Sequence, residues 1–225
     1  ATPIAGTESG ANGLTPQSPF WSPDSRHLAF FLQTEQAGAA GNSRLRIVDL
    51  QSGSARTAVE LPSNNAGGAW SAGGDLLVSS QGTKGLQRIP SSGGVPTQVT
   101  TLDEANEEVA HLFPQFLPDG RRFIYMVRTR ERANSAVFAG SLDSAERRKL
   151  VLSDHARFAA PNTLLYVQEN NLLAQTLDPD TLEFSGEPAR VATGIYSLPS
   201  NGRAGFVVSD SGVLAYSSDP GLGND

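Results

Sequence analysis

The sequence contains no cysteine among its 225 residues. This absence excludes disulfide scaffolds, thiol nucleophiles, Cys-x-x-Cys redox motifs and cysteine-ligated zinc. Basic residues are also few, since 17 Lys and Arg stand against 23 Asp and Glu for a net charge of -6. A protein that wraps nucleic acid normally clusters Lys and Arg against the phosphates. We therefore expect neither DNA nor RNA as a partner.

Long apolar runs are missing as well. None approaches the roughly 20 residues that span a bilayer, and the first ten residues lack the basic and apolar regions of an export signal. We expect no direct membrane insertion by this segment and no export signal within it. The 23 glycines and 14 prolines are spread along the whole chain, which indicates turns between ordered strands and not a disordered tail.

A repeat of nearly fifty residues organises the sequence. Each copy has an aromatic or small apolar strand, a polar turn and a second apolar strand. The equivalent positions are separated by 48, 47, 41 and 50 residues, and they are Leu28, Leu76, Phe123, Leu164 and Leu214. Two further short strands follow most of the hairpins at spacings of roughly 8 to 12 residues. This period and strand number are typical of β-propeller blades.

The turns contain residues suited to tight hairpins. In Pro118-Asp119-Gly120 the proline presets φ, the aspartate can accept a backbone N–H, and the glycine adopts positive φ. In the first repeat Ser25 occupies the position of this glycine, and the second repeat has Gly73-Gly74 in its turn. The turn geometry is therefore expected to vary between blades. Residues 101–111 are predicted to be a loop with one helical turn and a capping Asp103.

Two of these motifs carry a family resemblance. Residues 20–26 (FWSPDSR) and 116–121 (FLPDGR) resemble the signature of the WD40-like PD40 repeat of TolB-like β-propellers. The run 111–121, Gly140-Ser141-Leu142-Asp143-Ser144 and residues 206–216 also resemble the propeller region attached to bacterial Ser/Thr protein kinases. No kinase motif occurs in the chain itself. The resemblance implies a sensor region in the periplasm or elsewhere outside the cytoplasm. A cytoplasmic location is the alternative.

The blade count predicts one all-β domain over residues 1–225. Its four-stranded antiparallel blades number about five, four complete and one incomplete. Their predicted ranges are 20–61, 69–100, 114–152, 158–192 and 205–217, with an N-terminal strand at 2–6. Two alternatives remain, a five-bladed ring with an incomplete closing blade and a segment of a larger propeller. The second is favoured because a missing strand exposes a sheet edge.

The reactive residues show no catalytic pattern. Paired carboxylates can catalyse glycoside hydrolysis, and four aspartates are candidates for this role: Asp24, Asp75, Asp119 and Asp210. All four lie in predicted turns, where aspartate is favoured for its hydrogen bonds to the backbone. His27 is expected to be solvated, whereas His111 and His155 are expected to order the loops before inner strands. No spacing supports a metal site. We expect no catalytic, cofactor or metal residues.

Recurrent aromatic residues are expected to form the core between neighbouring sheets. They occupy the same place in each repeat and are Trp21, Trp70, Phe116, Phe158 and Phe206. The basic stretch 128–132 and the stretch 146–149 are expected to be solvated loops.

Two hypotheses for function follow. The first is a non-catalytic recognition module that binds a protein, a peptide or a small molecule through the loops entering the inner strands. The candidate binding face consists of Asn64, Asn65, Glu107, Glu108, His111, Asp154, His155, Asn201 and Arg203. The second is a glycosidase-like or lyase-like propeller enzyme, or an accessory propeller of a peptidase. The first is the favoured prediction, with no enzyme activity and no cofactor.

Overall fold

The computed structural model describes residues 15–33, 42–62, 67–79, 85–198, 202–209 and 211–218. The chain divides into two compact units, residues 1–116 and residues 117–225. In the described part, nearly all regular structure is β-strand, with two single-turn 3-10 helices.

Unit 1 contains two four-stranded sheets and one further strand. Each sheet is built from consecutive strands that pair antiparallel. The first consists of β1 (Thr15–Trp21), β2 (His27–Gln33), β3 (Asn42–Asp49) and β4 (Ala55–Pro62). The second consists of β5 (Gly68–Trp70), β6 (Asp75–Val78), β7 (Gln87–Pro90) and β8 (Thr97–Gln98). A 3-10 helix (Glu104–Asn106) then leads into β9 (Glu108–Phe116).

Unit 2 continues the same meander. Three strands pair antiparallel in chain order: β10 (Arg122–Thr129), β11 (Ala136–Ser141) and β12 (Arg147–Leu152). A 3-10 helix (Arg132–Asn134) lies between β10 and β11. A four-stranded sheet follows, with β13 (Ala156–Ala159), β14 (Thr163–Gln168), β15 (Asn171–Leu177) and β16 (Phe184–Ala192). The last pair is β17 (Phe206–Val208) and β18 (Leu214–Tyr216).

The core of each unit lies between sheets. In unit 1, Phe31 and Ile47 of the first sheet pack with Leu76 and Ile89 of the second. The opposite face of β2 is buried too, through Phe30 and its neighbours. A strand that is buried on both faces does not alternate between apolar and polar residues. This accounts for the continuous apolar run from Leu28 to Leu32. The predicted all-β fold with four-stranded antiparallel blades is confirmed.

Unit 2 has two such cores. Ile124 and Val137 pack with Phe158 and Tyr166 in one, between the β10–β12 strands and the β13–β16 sheet. Leu165 and Phe206 belong to the other, which joins the β13–β16 sheet to the β17–β18 pair. Sheet packing therefore continues from one group of strands to the next, as the repeat predicts.

The aromatic core prediction is wrong at Trp21. This side chain is 57% exposed, whereas Phe20 is buried. An irregularity in the β1–β2 pairing falls between Gln17 and Phe20, where Ser18 has a φ of 48°. Because successive strand residues face opposite sides, one position decides between core and solvent. Phe158 and Phe206 are buried as expected, and Trp70 and Phe116 are partly buried.

The loop 101–107 contains the predicted helical turn. The Asp103 side chain accepts hydrogen bonds from the backbone N–H groups of Ala105 and Asn106, which caps the 3-10 helix. The loop ends earlier than predicted, because β9 begins at Glu108 and contains His111. Of the two acidic residues before His111, Glu107 therefore ends the loop and is exposed, whereas Glu108 begins the strand and is buried.

Candidate functional site

Three connections of unit 2 enclose a groove. They are the turn between β10 and β11, the segment between β12 and β13, and the hairpin between β14 and β15. The groove has a volume of about 730 Å³. We call it the polar groove after its charged and amide lining, Arg132, Asp154, Gln168, Glu169, Asn171 and Arg190. Its apolar lining comes from Leu152, Val167, Leu173 and Pro188.

The β14–β15 hairpin places a carboxylate at this groove through an unusual turn. Gln168 pairs with Asn171, which leaves Glu169 and Asn170 as the two turn residues. Their φ values are 47° and 61°. A two-residue turn with both residues left-handed matches the twist of the flanking strands. Asparagine tolerates this conformation well, but glutamate does so at a cost in backbone strain, and such strain is characteristic of functional positions.

Ser153 fixes the segment between β12 and β13. Its buried hydroxyl lies 3.2 Å from the backbone nitrogens of His155 and Val167, from which it accepts hydrogen bonds. Its own proton can go to the carbonyl oxygen of Val167, at 2.8 Å, or of His155, at 2.9 Å. The start of β13 is therefore held against β14. This contact fixes the backbone that carries Asp154.

An ion pair crosses the groove. Arg132 Nε donates to Asp154 Oδ2 at 2.6 Å, and the two side chains are 41% and 24% exposed. A pair this exposed contributes on the order of 1 kcal/mol or less to stability. Its larger effect is to hold the Asp154 carboxylate, which lines the groove, in one orientation.

Two charged side chains of the groove remain available. Glu169 and Arg190 are exposed, and within the described ranges neither side chain has a hydrogen bond or an ion pair. The groove thus presents a carboxylate and a guanidinium beside an apolar wall. Such a surface suits a ligand that carries both charges, or an extended peptide with an apolar side chain.

The predicted residues of unit 2 fall in two environments. Asp154 lines the groove, whereas His155 is 2% exposed and packs edge-on against Phe206 with 5.3 Å between ring centroids. Burial, followed by the charges of Arg157 and Arg203, lowers the pKa of His155 well below its ordinary value of 6.5. His155 is therefore neutral near pH 7. Arg203 is exposed and does not line the groove.

The predicted residues of unit 1 form a buried network. His111 Nε2 lies 3.0 Å from Glu108 Oε2, and this carboxylate oxygen also accepts the Asp103 backbone N–H at 2.8 Å. His111 Nδ1 lies 2.7 Å from Thr100 Oγ1, which accepts the Leu86 backbone N–H. Glu108 and His111 thus order the loop before β9, and a ligand would meet that loop and not these side chains. Glu107 is exposed, in a left-handed conformation with φ 55°.

Three predicted face residues, Asn64, Asn65 and Asn201, lie outside the described residues, as does Asp210. The other turn aspartates have structural partners. Asp24 and Asp119 accept backbone N–H groups within their turns, while Asp75 begins β6 and pairs with Arg88 at 2.7 Å. Among the described residues, no group of three or more His, Asp or Glu side chains could hold a metal ion.

Sequence reasoning missed most of the groove. Arg132 was expected in a solvated loop and pairs instead with Asp154. Glu169 was not considered, although two polar residues between two apolar strands are a recognisable hairpin signal. Arg190 lies on the outer strand of its sheet, opposite Leu173, and no local pattern relates it to residues near position 154.

No protein-family model and no curated protein matches the sequence. Solved structures do match. TolB from Acinetobacter baumannii is 16% identical, with a TM-score of 0.58 over 76% of this chain and 42% of its own. An oligogalacturonate lyase in complex with manganese is 12% identical, with a TM-score of 0.65 over 95% of this chain and 64% of its own. These neighbours are propellers.

The fold is that of a β-propeller. A third similar structure is a gluconolactonase from Xanthomonas campestris, 17% identical, with a TM-score of 0.65 over 90% of this chain and 69% of its own. The chain spans about two fifths of the length of the TolB structure and about two thirds of the length of the two enzymes. TolB-like propeller architecture is thereby supported, at identities that speak for the fold alone.

The prediction of no enzyme activity is contradicted. Two of these structural neighbours are enzymes, a lyase and a lactonase, on the same scaffold. Absence of a familiar catalytic motif was the basis of that prediction, but propeller folds carry activities that no short motif reveals. In the described residues no helix is long and apolar enough to cross a membrane.

Proposed function

We propose that this propeller is a recognition module that binds its ligand or protein partner in the polar groove of unit 2. The observation that carries the proposal is the convergence of three connections on one concave surface of about 730 Å³. Concave surfaces with an apolar wall and a few oriented polar groups are the usual form of ligand sites. The strained Glu169 and the fixed Asp154 supply those polar groups.

The parent protein is proposed to be a bacterial Ser/Thr kinase-type protein, with this chain as its extracytoplasmic sensory region. Support comes from the sequence runs at 111–121 and 140–144 that resemble kinase-attached propellers. One domain over residues 1–225 is part of the same proposal. The candidate binding face within unit 2, with Asp154 and Arg203, is part of the proposal as well.

The proposal is tested by a thermal-shift screen against sugars, nucleotides, amino acids, short peptides, cell-wall fragments and divalent metals. A ligand at 100 times its dissociation constant stabilises by about 2.7 kcal/mol, which is a shift of several degrees for a domain of this size. The expected result is a shift in the wild type that is reduced in Glu169→Ala and Arg190→Ala.

Lys149→Ala is the matched control for these variants, because Lys149 is exposed on β12 and lies outside the groove. It should keep the full shift. A ligand that stabilises all three variants equally would place recognition elsewhere on the chain.

A second candidate function is catalysis in the same groove. Asp154 and Glu169 both line it, and two carboxylates in one site can act as general acid and general base. The lyase and lactonase neighbours motivate the assay, in which oligogalacturonate and gluconolactone are incubated with the protein. Turnover that is lost in Glu169→Gln and kept in Lys149→Ala would support catalysis. No turnover with either compound leaves recognition as the proposal.

A further inference from the structure

A second charged site lies in unit 2, outside the polar groove. His155 precedes β13 and Arg157 is its second residue, so in an extended segment their side chains share one face. Arg203 lies in the segment that leads into β17, and its charge acts on both His155 and Arg157. Neither these two arginines nor His155 lines the groove. We call the two arginines the cationic cluster, beside which the neutral His155 lies.

Two packing contacts hold the segment that carries Arg203 close to the start of β13. A Cβ added to Gly202 would lie 3.3 Å from Asp154 Cβ, and Phe206 packs edge-on against the His155 ring. Arg203 stands between Gly202 and Phe206 in the chain, and its carbonyl oxygen accepts the Leu198 N–H at 2.9 Å. The segment that carries Arg203 is thus fixed on both sides of it against the start of β13.

The charges of the cluster repel each other. Burial and the charge of Arg203 lower the pKa of Arg157 to about 10. Arg157 is partly buried, and in the part of the chain that the structure describes, its guanidinium has no hydrogen bond and no ion pair. A partly buried cation beside a second cation is unfavourable unless an anion compensates it.

We propose that the cationic cluster is a binding site for an oxyanion, a carboxylate or a phosphate group, held by the guanidinium groups of Arg157 and Arg203. Guanidinium groups present several N–H donors in a plane and bind both anions in a bidentate manner. Arg203 is exposed, so the site opens to solvent. This site is independent of the proposed function of the polar groove.

The test measures the melting temperature in sodium phosphate and in sodium acetate against sodium chloride of equal ionic strength. The wild type should show a saturable rise with at least one of the two oxyanions, and the stronger of the two identifies the class. In Arg157→Gln and in Arg203→Gln the dissociation constant should rise by about tenfold or more, because each variant removes a charged hydrogen-bond partner.

Lys149→Gln is the control, since it removes the same charge from an exposed position of unit 2. It should respond like the wild type. Arg203→Gln serves if Arg157→Gln does not fold, because Arg203 is exposed. The proposal is overturned if neither oxyanion produces a saturable rise, or if every folded variant keeps the response of the wild type.

A second readout follows from the neighbouring histidine. The two arginine charges contribute to the low pKa of His155, and a bound oxyanion would offset them. Histidine NMR signals titrated with and without the oxyanion should therefore show a higher pKa for His155 in its presence. An unchanged pKa at saturating oxyanion would place the anion elsewhere.

Discussion

Three serines occupy the same position in three hairpin turns and make the same hydrogen bond. The Oγ atoms of Ser22, Ser71 and Ser209 accept the backbone N–H of His27, Asp75 and Val213, at 2.8, 3.0 and 3.0 Å. These contacts join residues four or five positions apart, so the turns depend on local sequence and could be predicted from it. Aspartates and glycines were expected to define these turns, but the serine is the feature that the three turns share.

The Glu108 carboxylate gives a prediction at the same scale. Glu108→Ala leaves the His111 Nε2 position and the Asp103 N–H without their acceptor in a buried site. Loss of a buried charged acceptor costs about 2–4 kcal/mol in the free energy of unfolding. Urea denaturation followed by circular dichroism measures this cost.

Glu107→Ala is the matched control for Glu108→Ala. Glu107 is the preceding residue, it is exposed, and both glutamate and alanine carry a Cβ in its left-handed conformation. Its cost should stay within about 0.5 kcal/mol. Equal losses in the two variants would show that the buried network does not stabilise the loop.

At the scale of elements, strands with clear apolar runs could be predicted from the sequence, but the exact residues at which strands begin and end could not. The two short strands expected after the Leu164 hairpin appear as β15 (Asn171–Leu177) and β16 (Phe184–Ala192). The start of β9 and the face of Trp21 were missed, because each depends on a shift of a few residues that hydrophobic patterning does not register. The groove was missed for a related reason, since its residues come from separate strands and turns.

Gly68 gives the prediction for element packing in unit 1. A Cβ at this position would lie 2.5 Å from the Phe20 Cε1 atom, so alanine at position 68 requires the buried Phe20 ring to shift. Gly68→Ala should therefore cost about 1–3 kcal/mol through overpacking. Differential scanning calorimetry should show a lower melting temperature than in the wild type.

Two variants separate this packing cost from a general effect of alanine. Gly73→Ala is the control, because its nearest atom would be Ser71 Oγ at 3.7 Å. Phe20→Leu combined with Gly68→Ala should recover part of the loss, since the smaller side chain frees the space. If the double variant is less stable than the sum of the two single changes predicts, the close approach is not the cause.

For the whole molecule, a buried neutral histidine contributes to the response of stability to acid. The folded pKa of His155 is depressed below 6.5 by burial and by Arg157 and Arg203. Below pH 6.5 the unfolded chain binds a proton that the folded chain does not. Stability is therefore fully present above about pH 6.5 and falls as the pH is lowered, by at most about 1.4 kcal/mol per pH unit from this one group.

Urea midpoints between pH 7.5 and 5 test this sign. His155→Leu should show a shallower decline than the wild type in this range, because the buried imidazole is then absent. A decline that is just as steep in His155→Leu would assign the acid sensitivity to other groups.

Two turn aspartates also reduce the stability of the fold as the pH falls, but at lower pH than His155. A side-chain hydrogen bond from Ser22 and the Arg26 backbone N–H lower the pKa of Asp24. Partial burial alone would raise the pKa of Asp119, but hydrogen bonds from Arg121 and Arg122 outweigh it and lower the net value. Their stabilisation is present above the ordinary pKa of 3.8 and is lost as the pH falls below it.

The most direct measurement of the central claim is amide hydrogen exchange with and without a saturating compound from the thermal-shift screen. Recognition in the polar groove predicts slower exchange within 130–135, 153–155 and 168–171, the three connections that enclose it. Protection of these segments should disappear in Glu169→Ala and Arg190→Ala and persist in Lys149→Ala. Protection confined to other parts of the chain would contradict the account.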